Sequence, residues 1–331
     1  MKKILITGAD GFIGSHLTEL LLEKKFKVTA IVYYNSLGSF GWLSNIDDKY
    51  KRKIKIVFGD INDEIFIDNL IKNNDVIINL AALIGIPYSY VAPNSYFKTN
   101  ILGLVNILNS SLKYKKKLIH TSTSEVYGTP KKIPINENAN LNAQSPYAAS
   151  KIAADQIALS YHKSFDLKLN IIRPFNTFGP RQSLRAVIPT IITQCLDENC
   201  KIIKLGNLNT LRNFNYIKDT IEAFYKVIKK NVWDGNVVNI GSNSSFSINE
   251  TVKMIQSLTK TNKKIMRDNK RVRPSKSEVQ LLSADNKLAR KILNWKPNFV
   301  GKEGFKKGLK ETVEWFKKNK KIINYKKDYT I

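Results

Sequence analysis

The sequence predicts an α/β fold, a doubly wound parallel sheet with a smaller mixed α/β unit. Three observations predict it. The glycines Gly8, Gly11 and Gly14 separate the apolar run Ile4-Leu5-Ile6 from a stretch in which Ile13, Leu17, Leu20 and Leu21 recur at helical period. Further apolar runs at 27–32, 54–58, 75–80, 117–121 and 169–173 alternate with helical patterns near 12–24, 63–72, 94–113 and 145–164. After Pro174 this alternation turns irregular.

Each element has a physical reason. Short runs that are apolar throughout are what parallel strands covered on both faces require. Behind the first run, Gly8 suits a tight turn, Gly11 lets the backbone approach a pyrophosphate, and Gly14 lets the helix pack closely on the strand. The helix then opens at Phe12 and Ile13, where free N–H groups and the positive dipole end favour phosphate. Strand, glycine turn and helix in this order point to a dinucleotide site. The second strand ends in Ala30-Ile31-Val32-Tyr33-Tyr34-Asn35. It has neither the acid that commonly holds the ribose hydroxyls nor an Arg for a 2′-phosphate. Tyr33 and Tyr34 are placed either to stack on adenine or to pack on the following loop. Beyond Pro174 come a loop with Gly179-Pro180, a helix near 187–197 and a strand at 202–205. A helix near 217–229, a strand at 237–240 and a C-terminal helix with Trp315 and Phe316 follow.

Composition narrows the class. A chain of 331 residues is long enough for a large core and two domains. No apolar run approaches the length of a membrane span, and the N-terminus enters a strand at once, so a cytoplasmic enzyme is expected. Cys195 and Cys200 stand without a His or Cys cluster, which predicts no metal site and no disulfide framework. The formal charge of +27 raises the possibility of nucleic-acid binding. The lysines are dispersed, however, and the dense runs Lys113–Lys117 and Lys317–Lys321 read as a helix end and a tail. A lysine-rich surface is the better reading, with no nucleic-acid or membrane partner.

Candidate chemistry centres on Tyr147 and Lys151. Four residues apart on a helix, they share one face. An ammonium beside a phenol favours the phenolate, which makes Tyr147 a base for a sugar hydroxyl. Glu125, in Thr123-Ser124-Glu125, offers a second base, and a second base takes the chemistry beyond alcohol oxidation.

Thr7-Gly8-x-x-Gly11-Phe12-Ile13-Gly14 together with Tyr147-x-x-x-Lys151 resembles the extended short-chain dehydrogenase/reductases, the NAD-dependent nucleotide-sugar epimerases and dehydratases. The similarity runs over nearly the whole chain. It implies a Rossmann-type NAD-binding domain over 1–174 plus about 215–240, and a nucleotide-sugar-binding domain over 175–214 and 241–331. It also implies a homodimer built on the helices near 94–113 and 145–164. Gly59-Asp60-Ile61 is similar to the family's adenine contact. Asn79-Leu80-Ala81-Ala82 is similar to the segment beside the cofactor, and Thr99-Asn100 carries the structural Asn. Thr121 and Pro174 complete the implied cofactor set. NAD is the implied cofactor, with NADP left open. On the substrate side the resemblance implies Tyr88, Asn176, Arg181, Val187, Arg212 and Arg273. Asn176 follows the turn Arg173-Pro174-Phe175. Arg212 and Arg273 are placed for the diphosphate, which suits the bidentate guanidinium fork. The acid usual after the first Arg is Asn213 here. Trp295 resembles a packing motif and reads as core.

Longer strings resemble the 4,6-dehydratases of legionaminic-acid-type sugar synthesis. They are Leu83-Ile84-Gly85-Ile86-Pro87-Tyr88-Ser89-Tyr90, Thr121-Ser122-Thr123-Ser124-Glu125-Val126-Tyr127-Gly128, and Arg185-Ala186-Val187-Ile188-Pro189-Thr190. The implied substrate is an NDP-hexose, UDP- or GDP-N-acetylglucosamine, and the product its 4-keto-6-deoxy sugar. Tyr147 would take the C4 hydroxyl proton as hydride leaves C4, and Glu125 the C5 proton before water departs from C6. Hydride would then return to C6. Thr123 would hydrogen-bond the substrate at C4. Glu125, Ser124 through a water, or Thr123 would assist the leaving hydroxyl. UDP-glucuronate decarboxylases share Thr-Ser-Glu-Val-Tyr-Gly, with Arg185 and Arg181 as candidates for the extra arginine of that reaction. A 4-epimerase stands third, since it needs no second base. A scaffold without turnover stands last, since Tyr147, Lys151 and Glu125 are all present.

Overall fold

A computed structural model describes residues 1–320. Residues 321–331 of the expected second domain, and the last lysine of the run Lys317–Lys321, lie outside the described residues. The chain opens with β1 (Lys3–Thr7), α1 (Phe12–Glu23), β2 (Lys27–Val32), a short α2 (Asp48–Lys51), β3 (Ile54–Phe58), α3 (Glu64–Lys72) and β4 (Val76–Asn79). Next come α4 (Ile86–Val91), α5 (Pro93–Phe97), α6 (Gly103–Lys113), β5 (Lys117–Thr121), α7 (Pro146–Phe165) and β6 (Leu169–Pro174). Then follow β7 (Thr177–Phe178), α8 (Val187–Leu196), β8 (Ile202–Leu205), β9 (Leu211–Asn213), β10 (Asn215–Tyr216) and α9 (Ile217–Lys230). The described chain ends with β11 (Val237–Ile240), β12 (Ser245–Ser247), α10 (Ile248–Thr259), β13 (Lys264–Arg267), α11 (Lys287–Leu293) and α12 (Gly301–Lys318).

Seven strands form one parallel sheet in the order β11-β6-β5-β4-β1-β2-β3. The fold class expected from the sequence is therefore the one observed. Ile4, Leu5 and Ile6 are fully buried because helices cover both faces. One face packs Leu17 and Leu21 of α1 with Phe224 and Val227 of α9. The other packs Ile67 of α3, Ile107 of α6 and Ala154 of α7. Strand order reverses at β1, with β2 on one side and β4 on the other. The crevice at the carboxyl ends of β1 and β4 is where such sheets bind ligands.

Between α5 and α6 the helix does not break but widens into a single π-turn, Lys98–Leu102, which carries Asn100. Sequence period alone reads this stretch as one helix, because a one-residue expansion leaves the apolar spacing almost unchanged. The later strands make small two-stranded sheets, β7 with β10, β9 with β12 and β8 with β13. Trp295 is fully buried and donates its Nε1–H to the Asp219 carbonyl at 2.9 Å, so it is core.

Candidate active site

The glycine turn joins β1 to α1 under tight steric limits. Gly8 has φ +64°, and a Cβ there would lie 2.9 Å from the Ala81 Cα. At Gly14 a Cβ would fall 2.2 Å from the Gly8 carbonyl oxygen. No side chain caps α1 at Gly11, so the first N–H groups at Phe12 and Ile13 point out of the helix unused by a cap. Thr7 ties this turn to the neighbouring strand. Its hydroxyl donates to Asn79 Oδ1 at 2.7 Å and accepts from the Leu80 and Ala81 N–H at 3.1 and 3.0 Å. The result is a cradle lined by Gly8, Gly11, Leu80, Ala81 and Ala82. It fits a dinucleotide, because a side chain at Gly8 or Gly14 would close it and the helix terminus favours a pyrophosphate. Asp60 Oδ1 accepts from Asn62 N and Nδ2, both at 2.9 Å, which fixes the loop after β3 with Ile61 buried.

Below the cradle, Asn100 holds three partners from the π-turn. Its Oδ1 accepts from Leu83 N at 2.9 Å, and its Nδ2 donates to the Leu83 carbonyl and to Ser150 Oγ at 3.0 and 2.9 Å. Ser150 in turn donates to the Tyr147 carbonyl. The π-turn thus locks α7, the helix of Tyr147 and Lys151, to the segment beside the cradle. A π-turn in this place is a common mark of a functional site.

Tyr147, Lys151 and Asp155 stand four residues apart on the buried face of α7. The sequence pattern places Lys151 beside the phenol, but in the structure its ammonium donates to the Thr121 carbonyl at 2.6 Å. Burial pushes the Tyr147 phenol above the ordinary tyrosine range. A hydrogen bond from Thr123 opposes this, and Glu125 nearby adds to it. Burial pushes Lys151 down to about 8, with the Asp155 carboxylate pulling it back up. Thr121 closes β5, and its own hydroxyl is buried without a hydrogen-bond partner. Pro174 closes β6 beside it, opposite Ile240.

Glu125 sits on a 3-10 turn, Ser124–Tyr127, that Thr123 caps by accepting the Glu125 N–H at 3.2 Å. Ser124 is 2 % exposed, whereas Glu125 is half-buried between Tyr147 and Arg212, whose ionisations it perturbs. Tyr88 reaches the site through a chain of ring contacts: Tyr88 tilted against Tyr96 at 6.1 Å and Tyr96 edge-on to Tyr147 at 6.2 Å.

Arg212 is 6 % exposed, and its Nη2 donates to Glu278 Oε1 at 2.8 Å. Asn213, which stands where the family usually has an acid, turns instead to Ser242 and Ser244. Burial lowers the Arg212 pKa and nearby Arg273 lowers it further, and the buried Nη1 of Arg273 has no hydrogen-bond partner among the described residues. Asn176 likewise buries an unpartnered Oδ1. Glu278 and Glu125 both face Arg212, and the Arg273 guanidinium, with its buried Nη1 still unpaired among the described residues, leaves a donor suited to a diphosphate. Replacing Arg212 by Ala is expected to raise the Michaelis constant about ten- to a hundredfold. Turnover should fall less, because phosphate contacts are the same in ground and transition states. An unchanged Michaelis constant in a folded variant, judged by circular dichroism, would remove Arg212 from the site.

Not every expected residue joins this cluster. Arg181 has a left-handed backbone, φ +67°, and its Nη1 donates to Glu19 Oε2 of α1 at 2.7 Å. Its charge is spent on the outer side of the glycine-turn helix rather than on Arg212 and Arg273. Val187 is half-buried at the start of α8, two residues after the exposed Arg185. The sequence reading also missed a buried polar network under Lys151. Arg173 Nε and Nη2 donate to Asp155 Oδ2 at 3.0 and 2.9 Å, and Ser122 Oγ donates to the same oxygen at 2.8 Å. Arg173 Nη1 donates to Tyr127 Oη, which donates to Asn239 Oδ1, both at 2.8 Å. A signal was present: a charge in the buried strand Leu169–Pro174 demands a partner.

A family model described as GDP-mannose 4,6 dehydratase matches residues 5–311. The dTDP-D-glucose 4,6-dehydratase of Dictyostelium discoideum is 36% identical over 270 residues, which are 77% of this chain and 62% of that protein. The UDP-N-acetyl-alpha-D-glucosaminuronate decarboxylase of Bacillus cytotoxicus is 32% identical over 329 residues, covering 96% of this chain and 98% of that one. A variant UDP-glucuronic acid 4-epimerase from Bacillus cereus, solved with a UDP-4-deoxy-4-fluoro-glucuronic acid and NAD, matches with a TM-score of 0.86. It is 27% identical, with 96% and 99% of the two chains covered.

Proposed function

The chain belongs to the family described as GDP-mannose 4,6 dehydratase, within the extended short-chain dehydrogenase/reductases, and on that premise we propose that it is an NAD-dependent nucleotide-sugar 4,6-dehydratase, a hydro-lyase. Its substrate would be an NDP-hexose, UDP- or GDP-N-acetylglucosamine, and its product the 4-keto-6-deoxy sugar. The observation that carries this reading is Glu125. Its charge acts on both Tyr147 and Arg212, so it lies near the phenol and the arginine proposed to contact the diphosphate. A simple oxidation or epimerisation at C4 gives a second carboxylate there no proton to move.

NAD, held by the cradle of Gly8, Gly11, Gly14 and Ala81, supplies hydride-accepting and hydride-donating capacity when bound. Tyr147 takes the proton of the C4 hydroxyl, and the Thr123 hydroxyl steadies the phenolate. The charged Lys151, anchored on Thr121, favours that anion. A ketone at C4 acidifies C5, and Glu125 removes the C5 proton. With Ser124 buried, Glu125 itself is the better placed donor to the hydroxyl that leaves C6 as water; the hydride taken from C4 would return to C6, and C5 would take up a solvent proton in exchange for the one Tyr147 releases. Arg212, Arg273 and Asn176 hold the diphosphate. A homodimer through α5, α6 and α7 is part of the same reading. It is supported by Phe97, Leu102 and Phe165, which are 39%, 57% and 56% exposed on those helices and the π-turn. Light scattering at a single-chain mass would dismiss it.

The test is Glu125→Gln, which keeps size and hydrogen bonding but cannot accept the C5 proton. Elimination should fall at least about 10²-fold. Oxidation at C4 should persist, seen as reduced cofactor accumulating without dehydrated product. In deuterium oxide the unaltered protein should place deuterium at C5, and the variant should lose most of that exchange. Dehydration at the unaltered rate would dismiss Glu125 as the base. A second reading, decarboxylation of a nucleotide uronic acid, is favoured by Arg185. Its Nη1 lies 3.9 Å from where a Gly85 Cβ would stand, near Tyr96 and so at the sugar end of the site. Loss of carbon dioxide from UDP-glucuronate, with no loss of water from the N-acetylglucosamine nucleotides, would establish it instead.

A further inference from the structure

The end of β2 lacks the carboxylate that NAD sites commonly place on the adenosine ribose. Asn35 does not replace it, because its carboxamide is used within its own loop. Its Nδ2 donates to the Tyr33 and Ser39 carbonyls at 3.1 and 2.9 Å, and its Oδ1 accepts from Ser39 N at 2.9 Å. Tyr33 and Tyr34 are 65% and 69% exposed.

A carboxylate reaches this place from another element. Ala9 N donates to the Ile31 carbonyl at 3.2 Å, which runs the glycine turn alongside the end of β2. The next residue is Asp10. Its carbonyl accepts from Trp42 N at 3.0 Å. Gly41 passes so close that a Cβ there would lie 2.9 Å from the Asp10 Cβ. Burial raises the Asp10 pKa, and the backbone N–H groups of Asp10 and Tyr33 act against it, which sets the carboxylate by the end of β2. The turn, the end of β2 and the loop after it therefore all border this one residue. From Tyr33 to Asp48 the sequence has no Lys or Arg, so no cation neutralises it from that loop.

We propose that Asp10 is the residue that selects the cofactor: its carboxylate serves in place of the missing β2 acid, accepting from the ribose 2′-hydroxyl of NAD and repelling the 2′-phosphate of NADP. The inference rests on reading the glycine turn as a dinucleotide site. Burial works against the charge, raising the Asp10 pKa, and the two backbone N–H groups oppose that rise.

The test is equilibrium binding, read by quenching of intrinsic fluorescence after any nucleotide carried through purification has been removed. The unaltered protein should bind NAD⁺ at least about tenfold more tightly than NADP⁺. Asp10→Asn keeps the shape and removes the charge. It should shrink that ratio about tenfold, mainly by tightening NADP⁺, and Asp10→Ser should do the same if the Asn variant folds poorly. Asn35→Ala should leave the ratio unchanged. A preference for NAD⁺ that survives in both Asp10 variants would overturn the assignment and leave the dinucleotide site intact. Failure of the unaltered protein to bind either nucleotide would overturn both.

Discussion

Turnover of Tyr147→Phe is expected to fall by ~10²–10⁴, the usual contribution of a positioned general base. The substitution is clean. Phe keeps the ring, which is 7 % exposed and packs edge-on against Tyr96, and removes only the hydroxyl that Thr123 contacts. The glycine turn and α1 are untouched, so nucleotide binding should survive and the loss should fall on the rate of chemistry. Stopped-flow reduction of the cofactor with the nucleotide-sugar substrate reads that step directly. Near-normal reduction in the variant would show that another group takes the proton.

The second large effect is on stability. Arg173→Met should cost ~3–5 kcal/mol, because it leaves the fully buried Asp155 without its charge partner. Against a typical total of ~5–15 kcal/mol this approaches unfolding, and urea denaturation measures it. The double variant Arg173→Met with Asp155→Leu should recover most of the loss, since an apolar pair of similar volume needs no counter-charge. It should not recover function in the same way. Asp155 is what pulls the Lys151 pKa upward, so without it the lysine loses its charge at a lower pH. The alkaline limb of turnover should move down accordingly. If removing Arg173 alone leaves the urea midpoint unchanged, the buried pair is not a structural anchor.

These two cases also separate what the chain discloses as a string from what only folding reveals. The sheet was legible because β1, β4, β5 and β6 are buried on both faces and so each carries a short apolar stretch, Ile4-Leu5-Ile6, Val76-Ile77-Ile78, Leu118-Ile119 and Ile171-Ile172. Tyr147 and Lys151 stood out as candidates by residue type and helical spacing, and Glu125 by its place in Thr123-Ser124-Glu125. Asp10 was passed over because its function depends on which loop lies beside it, and Ala9 meets Ile31 only once β1 and β2 pair. The pairing of Arg181 with Glu19 was not legible, because the sequence does not give the direction of a left-handed residue within its loop. The contact of Lys151 with Thr121 rather than the phenol is a matter of ångströms that a four-residue spacing cannot resolve.

The position of β11 bears on how the protein is made. β6 is buried along its whole length, and its outer neighbour is β11, which arrives only after residues 175–236 have been synthesised. At roughly 5–20 residues per second the ribosome takes several seconds to deliver that strand. Throughout that interval the growing chain presents an apolar, unpaired strand edge, the kind that recruits other chains. Pairing with β11 covers β6 and moves the edge to a strand of only Val237–Ile240, short enough to be a poor template for another chain.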